Sequence, residues 1–559
     1  GLVFIGPGVK AIAAMGDKIE SKKLAAKAGV NTVPGYLGVI KDADEAVKIA
    51  KDIGFPVMIK ASAGGGGKGM RVAYEEGEVA EGFQSATNEA KSSFGDDRVF
   101  IEKYIEQPRH IEIQVLGDKH GNIIHLGERE CSIQRRHQKV IEEAPSPFVD
   151  KKLRETMGAQ AVALAKVVDY SSAGTVEFIV DKKKNFYFLE MNTRLQVEHP
   201  VTEEVTGVDL VEQMLRVAAG EKLQLKQKDI KLTGWAMEAR IYAEDPYRNF
   251  LPSIGRLSRY VPPTGEGIRV DDGVYEGSEI SLFYDPMVAK LITVAETREA
   301  AIDLMRESLD IYYIRGIGHN INFLAAVMLN DKFRGGNFST NFIAEEYPEG
   351  FEGAPLTKDV KNTLMAAGAY AHAVAEECRT FKNAQALCPK AMPRIIHVDG
   401  KDHLAVVTLG QGEGTIRIGK KDFHVGSRWQ PGTPVFTGKI EGKDVAVELD
   451  RIPLGYRLTT CGVFRDVLIL SPLQAELFKK MPEVKEKDTS NLLLCPMPGL
   501  VVSINVSDGE KVEAGQTLAI VEAMKMENVL KAEKNGVVKK INCKAGDSLA
   551  VDEIIMEFE

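Results

Sequence analysis

Glu522-Ala523-Met524-Lys525-Met526-Glu527 stands between two copies of one strand pattern in a chain of 559 residues. The segment Gly499 to Glu522 returns 37 positions later as Gly536 to Glu559, with Gly499/Gly536, Val501/Val538, Ile504/Ile541, Asn505/Asn542 and Gly509/Gly546 identical. A duplicated short-strand pattern with a lysine between its copies predicts a small pseudo-symmetric β-sandwich that displays Lys525 on an exposed hairpin tip. A lysine on a turn is ordinarily a surface charge and nothing more. This one is flanked by two methionines, whose exposure leaves apolar surface in water with no gain to the fold. A tip that another enzyme must recognise accounts for them, and Lys525 reads as a lysine meant for modification.

The rest of the chain is long enough for three to five domains at roughly 150 residues each. Its composition, 44% hydrophobic and 27% charged, is that of globular domains rather than long disordered regions. A net charge of −9 with both signs mixed throughout gives no support to a nucleic-acid groove or a membrane surface. No apolar run approaches the roughly 20 residues that span a bilayer, so a soluble protein is expected. Six cysteines are scattered without a CxxC pair, which points to a reducing compartment and away from a zinc cluster. Val3-Phe4-Ile5 is a buried-strand pattern close to Gly1, and a parallel strand needs neighbours, so a βαβ region is expected to precede it.

Val9 to Ala28 has helical periodicity with Gly29 as its stop. From Val39 to Tyr104 the pattern runs as a helix at Asp44 to Ile53, a strand at Pro56 to Ala61, a glycine loop, a strand at Met70 to Tyr74, a helix at Glu78 to Ser92 and a strand at Val99 to Lys103. The loop, Ala63-Gly64-Gly65-Gly66-Gly67-Lys68-Gly69-Met70, has five glycines in six positions. Glycine loses the most backbone entropy on ordering and brings no side chain, so the run serves no packing purpose. It suits a lid whose N–H groups fold over phosphates beside Lys60. A flexible linker is the competing reading.

Glu177 lies in the alternating strand Gly174 to Ile179, and Glu190 closes a second strand, Asn185 to Glu190, joined to it by a turn through Lys182, Lys183 and Lys184. Two carboxylates on neighbouring strands, with Asn192 just beyond, are hard oxygen ligands of the kind Mg²⁺ prefers when it bridges phosphates. Either glutamate alone is more often a solvated strand residue. Next come Arg194, Gln196, Val197 and Glu198. An arginine fork near a carboxylate suits holding and deprotonating a small oxyanion, with a structural salt bridge as the alternative.

Residues 200 to 345 read as α+β. After about 351 the character changes. Thr357 to Arg379 is a long amphipathic helix with an Ala-rich face, followed by many short alternating segments between Arg394 and Leu470 separated by glycine turns. These predict a small barrel with the helix packed against or into it. The region carries no nucleophile elbow or paired carboxylates and reads as non-catalytic. A helix at Pro472 to Met481 and the charged segment 483–488 form a tether.

Both ends of the chain match known families motif by motif. Ala523-Met524-Lys525-Met526, with Pro496-Met497-Pro498-Gly499 upstream, resembles the biotin carboxyl carrier domain rather than a lipoyl domain, whose tip usually reads Asp-Lys-Ala. Lys18, Lys60, the glycine loop, Glu102-Lys103-Tyr104, Pro108-Arg109-His110-Ile111-Glu112, Gln134-Arg135-Arg136-His137-Gln138-Lys139 and Glu190-Met191-Asn192-Thr193-Arg194 resemble, in order, biotin carboxylase, an ATP-grasp enzyme. The middle region resembles more loosely the domain that docks the carboxylase subunit to its partner in propionyl-CoA carboxylases. The fold class expected is α+β multidomain: an ATP-grasp biotin carboxylase, a helix-plus-β-barrel docking domain and a β-sandwich biotinyl domain. The expected division is 1–32 (end of a Rossmann-like subdomain), 33–104 (lid), 105–350 (ATP-grasp C-terminal part), 351–482 (docking domain), 483–490 (linker) and 491–559 (biotinyl domain).

As a whole the chain resembles the α subunit of a biotin-dependent acyl-CoA carboxylase, most closely the propionyl-CoA enzymes, with 3-methylcrotonyl-CoA carboxylase or another acyl-CoA carboxylase as the alternative. An ATP-grasp ligase of a different acid is the alternative from another class. The resemblance implies that Lys18, Lys60, Gly64, Gly65, Gly66, Gly67, Glu102, His110, Gln134 and His137 bind ATP, and that Glu177, Glu190 and Asn192 bind Mg²⁺ or Mn²⁺. It implies that Arg194 and Lys139 hold bicarbonate, that Glu198 is the base and that Arg240 stabilises the biotin enolate. It further implies biotin covalently on Lys525, a separate carboxyltransferase β subunit in an α/β hetero-oligomer, and a biotin protein ligase as modifier. The location implied is the bacterial cytoplasm or the mitochondrial matrix.

Overall fold

A computed structural model describes residues 2–36, 38–62, 69–379, 391–482, 489–523 and 526–559. The chain divides into two units, Gly1–Ala239 with Leu291–Leu304 and Asp331–Pro348, and Arg240–Lys290 with Met305–Asn330 and Glu349–Glu559.

In the first unit, the region expected to be one helix is two, Val9–Gly16 and Lys18–Lys27. Asp17 separates them because its carboxylate accepts from the amides of Ile19 and Glu20, an N-cap that starts a new helix. The strand expected at Val3 to Ile5 is absent: these residues pair with no described strand, and their side chains are exposed.

A four-stranded antiparallel sheet follows in the order Gly35–Tyr36, Val99–Lys103, Val57–Ala61, Met70–Ala73. The helices Ala43–Ile53 and Glu76–Phe94 cover it. Asp42 caps the first of them and a left-handed Gly95 ends the second. Ile49, Val57, Ile59, Val79, Phe83 and Ile101 form the core between the layers.

The larger sheet carries the chemistry. Its strands Trp235–Tyr242, Gln138–Ala144, Ile123–Arg135, Arg109–Gly117, Ser172–Val180 and Phe186–Asn192 are neighbours in that order. Side chains alternate between the two faces of a strand, so Ile111, Ile113, Val115, Val176 and Phe178 point into one core. The helix Lys151–Val167 seals that core with Leu153, Met157, Ala161 and Leu164. The same alternation sends His110, Glu112, Gln114, Thr175 and Glu177 to the opposite face. Register then sets Glu112 against both Glu177 and Arg129, Gln114 against Thr175, and Glu177 against Glu190.

In the second unit, eight antiparallel strands from Met392–Val398 to Val463–Leu470 close into a barrel, each paired with its neighbour in sequence and the last with the first. The helix Lys358–Arg379 packs against its strands on all sides, burying Leu364, Ala366, Ala367, Ala369 and Ala371. Its fit explains Gly368, where a Cβ would lie 2.9 Å from Leu458 Cδ1. The C-terminal region is two four-stranded sheets. Gly499–Ile504, Lys511–Val512 and Thr517–Ala523 have their counterparts in Gly536–Ile541, Ser548–Leu549 and Ile554–Phe558, each displaced by the 37-residue repeat. The short strand of each half pairs with the long strand of the other half. No described helix is long and apolar enough to cross a membrane.

Candidate functional site

The polar face of the large sheet would be costly to bury unless every charge found a partner. Lys139, in the strand Gln138–Ala144, supplies the central one. Its ammonium lies 2.5 Å from Glu112 Oε2, 2.6 Å from Glu198 Oε1 and 3.1 Å from Glu177 Oε1. Burial works against its charge, but Glu112, Glu177 and Glu198 outweigh burial and hold its pKa well above the ordinary lysine value. Burial also disfavours the Glu177 carboxylate, yet Lys139 and His110 bring its pKa well below the usual carboxylate range.

Glu177 is the meeting point of several predicted residues. Asn192 Nδ2 and Gln196 Nε2 donate to its Oε1 at 2.9 and 2.7 Å, and His110 Nε2 lies 2.9 Å from its Oε2. Gln134 Nε2 is 2.8 Å from the Cys131 carbonyl, which fixes it as the donor end of the amide, and it also lies 2.7 Å from His110 Nδ1. Neutral His110 therefore carries its proton on Nε2, toward Glu177. Burial opposes protonation of His110, but the Glu177 charge raises its pKa nonetheless.

A second cluster has the opposite balance. Lys22 and Lys60 share the buried carboxylate of Glu102. Burial, together with the charge of Lys18, drives Lys60 down to about 7 despite the pull of Glu190. Burial and the neighbouring Lys60 and Lys18 push Lys22 well down as well, and burial lowers Lys18 against the attraction of Glu190. His137, at a left-handed φ of 65° in the turn before Lys139, is lowered by burial and then by Lys60 and His110. Two lysines share the Glu102 carboxylate, and Lys18 adds a third charge beside them that feels Glu190, so ammonium groups outnumber carboxylates here, the reverse of the balance around Lys139.

Glu190 faces Glu177 in register, and burial followed by the charge of Glu177 raises its pKa, with Lys18 opposing. That like-charge pair, only partly offset for Glu190 by Lys18 and with the amide of Asn192 beside Glu177, suits a hard divalent cation. Ligand atoms of His110, Glu112 and Glu177 also converge. So do those of Glu112, Cys131 and Glu198, but the ammonium of Lys139 already bridges the two carboxylates there.

Arg194 is exposed and donates at 3.3 Å to the Leu195 carbonyl. Of the two cations that the resemblance set with Glu198, Lys139 lies 2.6 Å from its Oε1. Arg240 belongs to the second unit, where it is buried; its Nη1 lies 3.4 Å from the Tyr242 hydroxyl and its carbonyl accepts from Asn320 Nδ2 at 2.9 Å. Gly64, Gly65, Gly66, Gly67 and Lys525 lie outside the described residues. Sequence reasoning missed Lys22, Glu112 and Arg129 as site residues. The alternation in Arg109 to Gly117 was a signal for Glu112; nothing local marked the other two.

The family profiles match in chain order: the carbamoyl-phosphate synthase L chain ATP-binding domain over residues 17–226, the biotin carboxylase C-terminal domain over 238–345, the propionyl-coenzyme A carboxylase BT domain over 364–484 and the biotin-requiring enzyme profile over 491–558. The propionyl-CoA carboxylase alpha chain of Ruegeria pomeroyi is 57% identical over 583 residues, covering 100% of this chain and 86% of that one. The chain belongs to the propionyl-CoA carboxylase alpha chain family. The mitochondrial methylcrotonoyl-CoA carboxylase subunit alpha of rat is less similar than that propionyl-CoA carboxylase alpha chain, at 41% identity over 100% of this chain and 80% of its own. Among solved structures, the biotin carboxylase domain of Hydrogenobacter thermophilus 2-oxoglutarate carboxylase, in complex with MgADP, ADP and bicarbonate, has a TM-score of 0.61 and 52% identity, covering 62% of this chain and 77% of that one. As a propionyl-CoA carboxylase alpha chain, the protein is a ligase with a biotin carboxylase part and a biotinyl part, and it implies a β-chain partner.

Proposed function

We propose that this chain carboxylates biotin attached to Lys525, using ATP and bicarbonate, and passes the carboxyl group to a separate carboxyltransferase β subunit that converts propionyl-CoA to methylmalonyl-CoA. The observation that carries the site assignment is the 2.6 Å contact between Lys139 Nζ and Glu198 Oε1. A carboxylate held against a cation stays ionised, the form a general base needs, and the same cation is placed to hold the resulting anion. Glu198 takes the proton of bicarbonate, while Lys139 and the exposed guanidinium of Arg194 hold the anion for attack on the γ-phosphate of ATP.

Lys18 and Lys60 receive the phosphates, assisted by Lys22, and His110, Gln134, His137 and Glu102 border the nucleotide. Glu177, Glu190 and Asn192 would hold a magnesium or manganese ion, which when bound neutralises phosphate charge. Gly64 to Gly67 are assigned to the phosphates of ATP, which a glycine-rich sequence with free backbone N–H groups suits. Arg240 is assigned to the ureido oxygen of biotin, where a cation favours the enolate form.

The division proposed is 1–32, 33–104 and 105–350 for the carboxylase, 351–482 for docking to the β subunit in an α/β hetero-oligomer, 483–490 as linker and 491–559 as carrier. A biotin protein ligase modifies the tip. Bacterial cytoplasm or mitochondrial matrix is the location proposed, since the relatives include a bacterial and a mitochondrial protein. The test is Lys525→Ala in the complex with β subunit. Propionyl-CoA-dependent fixation of labelled bicarbonate is expected to vanish while carboxylation of free biotin persists; loss of both overturns the carrier assignment. Fixation by the unaltered complex into 3-methylcrotonyl-CoA instead of propionyl-CoA would replace the substrate.

A further inference from the structure

Arg129 lies in the middle of the strand Ile123–Arg135 with a relative exposure of 0%. A guanidinium has five N–H donors in a fixed fork, and burying them unpaired would be expensive. All five are used. Nε donates to Glu112 Oε1, Nη1 to Gln114 Oε1 at 2.7 Å and Thr202 Oγ1 at 2.9 Å, and Nη2 to Thr175 Oγ1 at 3.2 Å and Gln196 Oε1 at 2.8 Å.

These bonds fall into two kinds. Gln114, Thr175 and Thr202 anchor the fork; the Gln114 amide is itself locked by donation to the Gly174 carbonyl at 2.9 Å. The other two lead into the site. Glu112 takes Arg129 on one oxygen and Lys139 on the other, so the direction of its carboxylate sets where the ammonium sits. Gln196 accepts from Arg129 through its carbonyl, which leaves the NH₂ end for Glu177 at 2.7 Å. Reversed, that amide would turn its oxygen toward a carboxylate. Arg129 thus decides which end of Gln196 faces the anion site.

We propose that Arg129 is the positioning residue of the bicarbonate site, acting through Gln196 and through the Glu112–Lys139 pair without touching substrate. The inference rests on the proposed function, since it takes this cluster as the bicarbonate site.

The experiment is steady-state kinetics of the biotinylated complex with Arg129→Lys, which keeps the charge and loses the fork. KM for bicarbonate is expected to rise about tenfold, the size of one misplaced charge-assisted hydrogen bond, with KM for ATP changed by less than about twofold. Thr202→Val removes one anchoring bond and leaves the guanidinium. It is expected to raise KM for bicarbonate about threefold, again without moving KM for ATP. If Arg129→Lys does not fold, the Thr202→Val result decides. Loss of kcat with both KM values unmoved in the folded variants makes Arg129 a structural residue only and overturns the proposal. Unaltered complex whose ATP turnover ignores bicarbonate overturns the proposed function itself, a result distinguishable from failure of the positioning role.

Discussion

Lys139 and Lys60 are both buried ammonium groups, yet their surroundings move them in opposite directions. Three carboxylates converge on Lys139 and hold it charged. Lys60 shares one carboxylate with Lys22, lies near Lys18, and falls to about 7. Burial penalises both; the count of nearby charges decides the outcome. The first pocket is neutralised by the protein and works as a fixed instrument. The second has fewer carboxylates than ammonium groups, and on the proposed function phosphates supply the missing charge.

The strongest way to break this contrast is Lys139→Met. It leaves Glu112, Glu177 and Glu198 facing one another, so carboxylation is expected to fall about 10²–10³-fold. Stability is expected to fall by about 3–5 kcal/mol, the cost of stranding a buried charge, read from denaturant unfolding without ATP.

Lys60→Met has a different signature. KM for ATP is expected to rise at least about tenfold through loss of a phosphate contact, while the unliganded protein keeps or gains stability. The low pKa of Lys60 adds a pH dependence. Between about 7 and the ordinary lysine value of 10.5 the unfolded chain binds a proton that the folded chain does not. On this group's account, stability therefore rises with pH across that window, and below it the burial penalty is present in full. Phosphates restore the ammonium form. ATP binding near pH 8 is thus expected to take up close to one proton and near pH 6 almost none, by calorimetry in buffers of different ionisation enthalpy; Lys60→Arg removes the uptake.

The smallest effect sharpens the boundary between the pockets. Glu190→Gln relieves the like-charge contact with Glu177, and stability without metal is expected to stay level or rise by about 1 kcal/mol. The magnesium concentration for half-maximal activity is expected to increase. Unchanged magnesium dependence would remove Glu190 from the metal site.

What the sequence disclosed depended on how local the signal was. The barrel's short strands and the alternation around Glu177 and Glu190 lie within a few residues, and the repeat at Gly499 and Gly536 recurs at a fixed spacing of 37, so all three were legible. Glu128-Arg129-Glu130 was not, because a charged run normally marks a solvated face. Here it lies in an interior strand, and its partners Arg154, Glu112 and Ser146 come from distant segments. Lys22-Lys23 poses the same problem: one lysine is buried on Glu102 and the other is exposed beside Glu20. Val3 to Ile5 pair with no described strand, since apolar content makes a strand only where a neighbour offers hydrogen bonds.

The crossed short strands of the C-terminal sandwich carry a further consequence. Each half lends Lys511–Val512 or Ser548–Leu549 to the sheet built on the other half's long strand, so neither sheet is complete until both copies have been made. The hairpin arms that meet at Ala523 and Met526 belong to one of these sheets. During synthesis Lys525 therefore emerges well before the last strand of that sheet, and on the proposed function a biotin protein ligase that reads the folded domain has to wait for the whole duplicated unit.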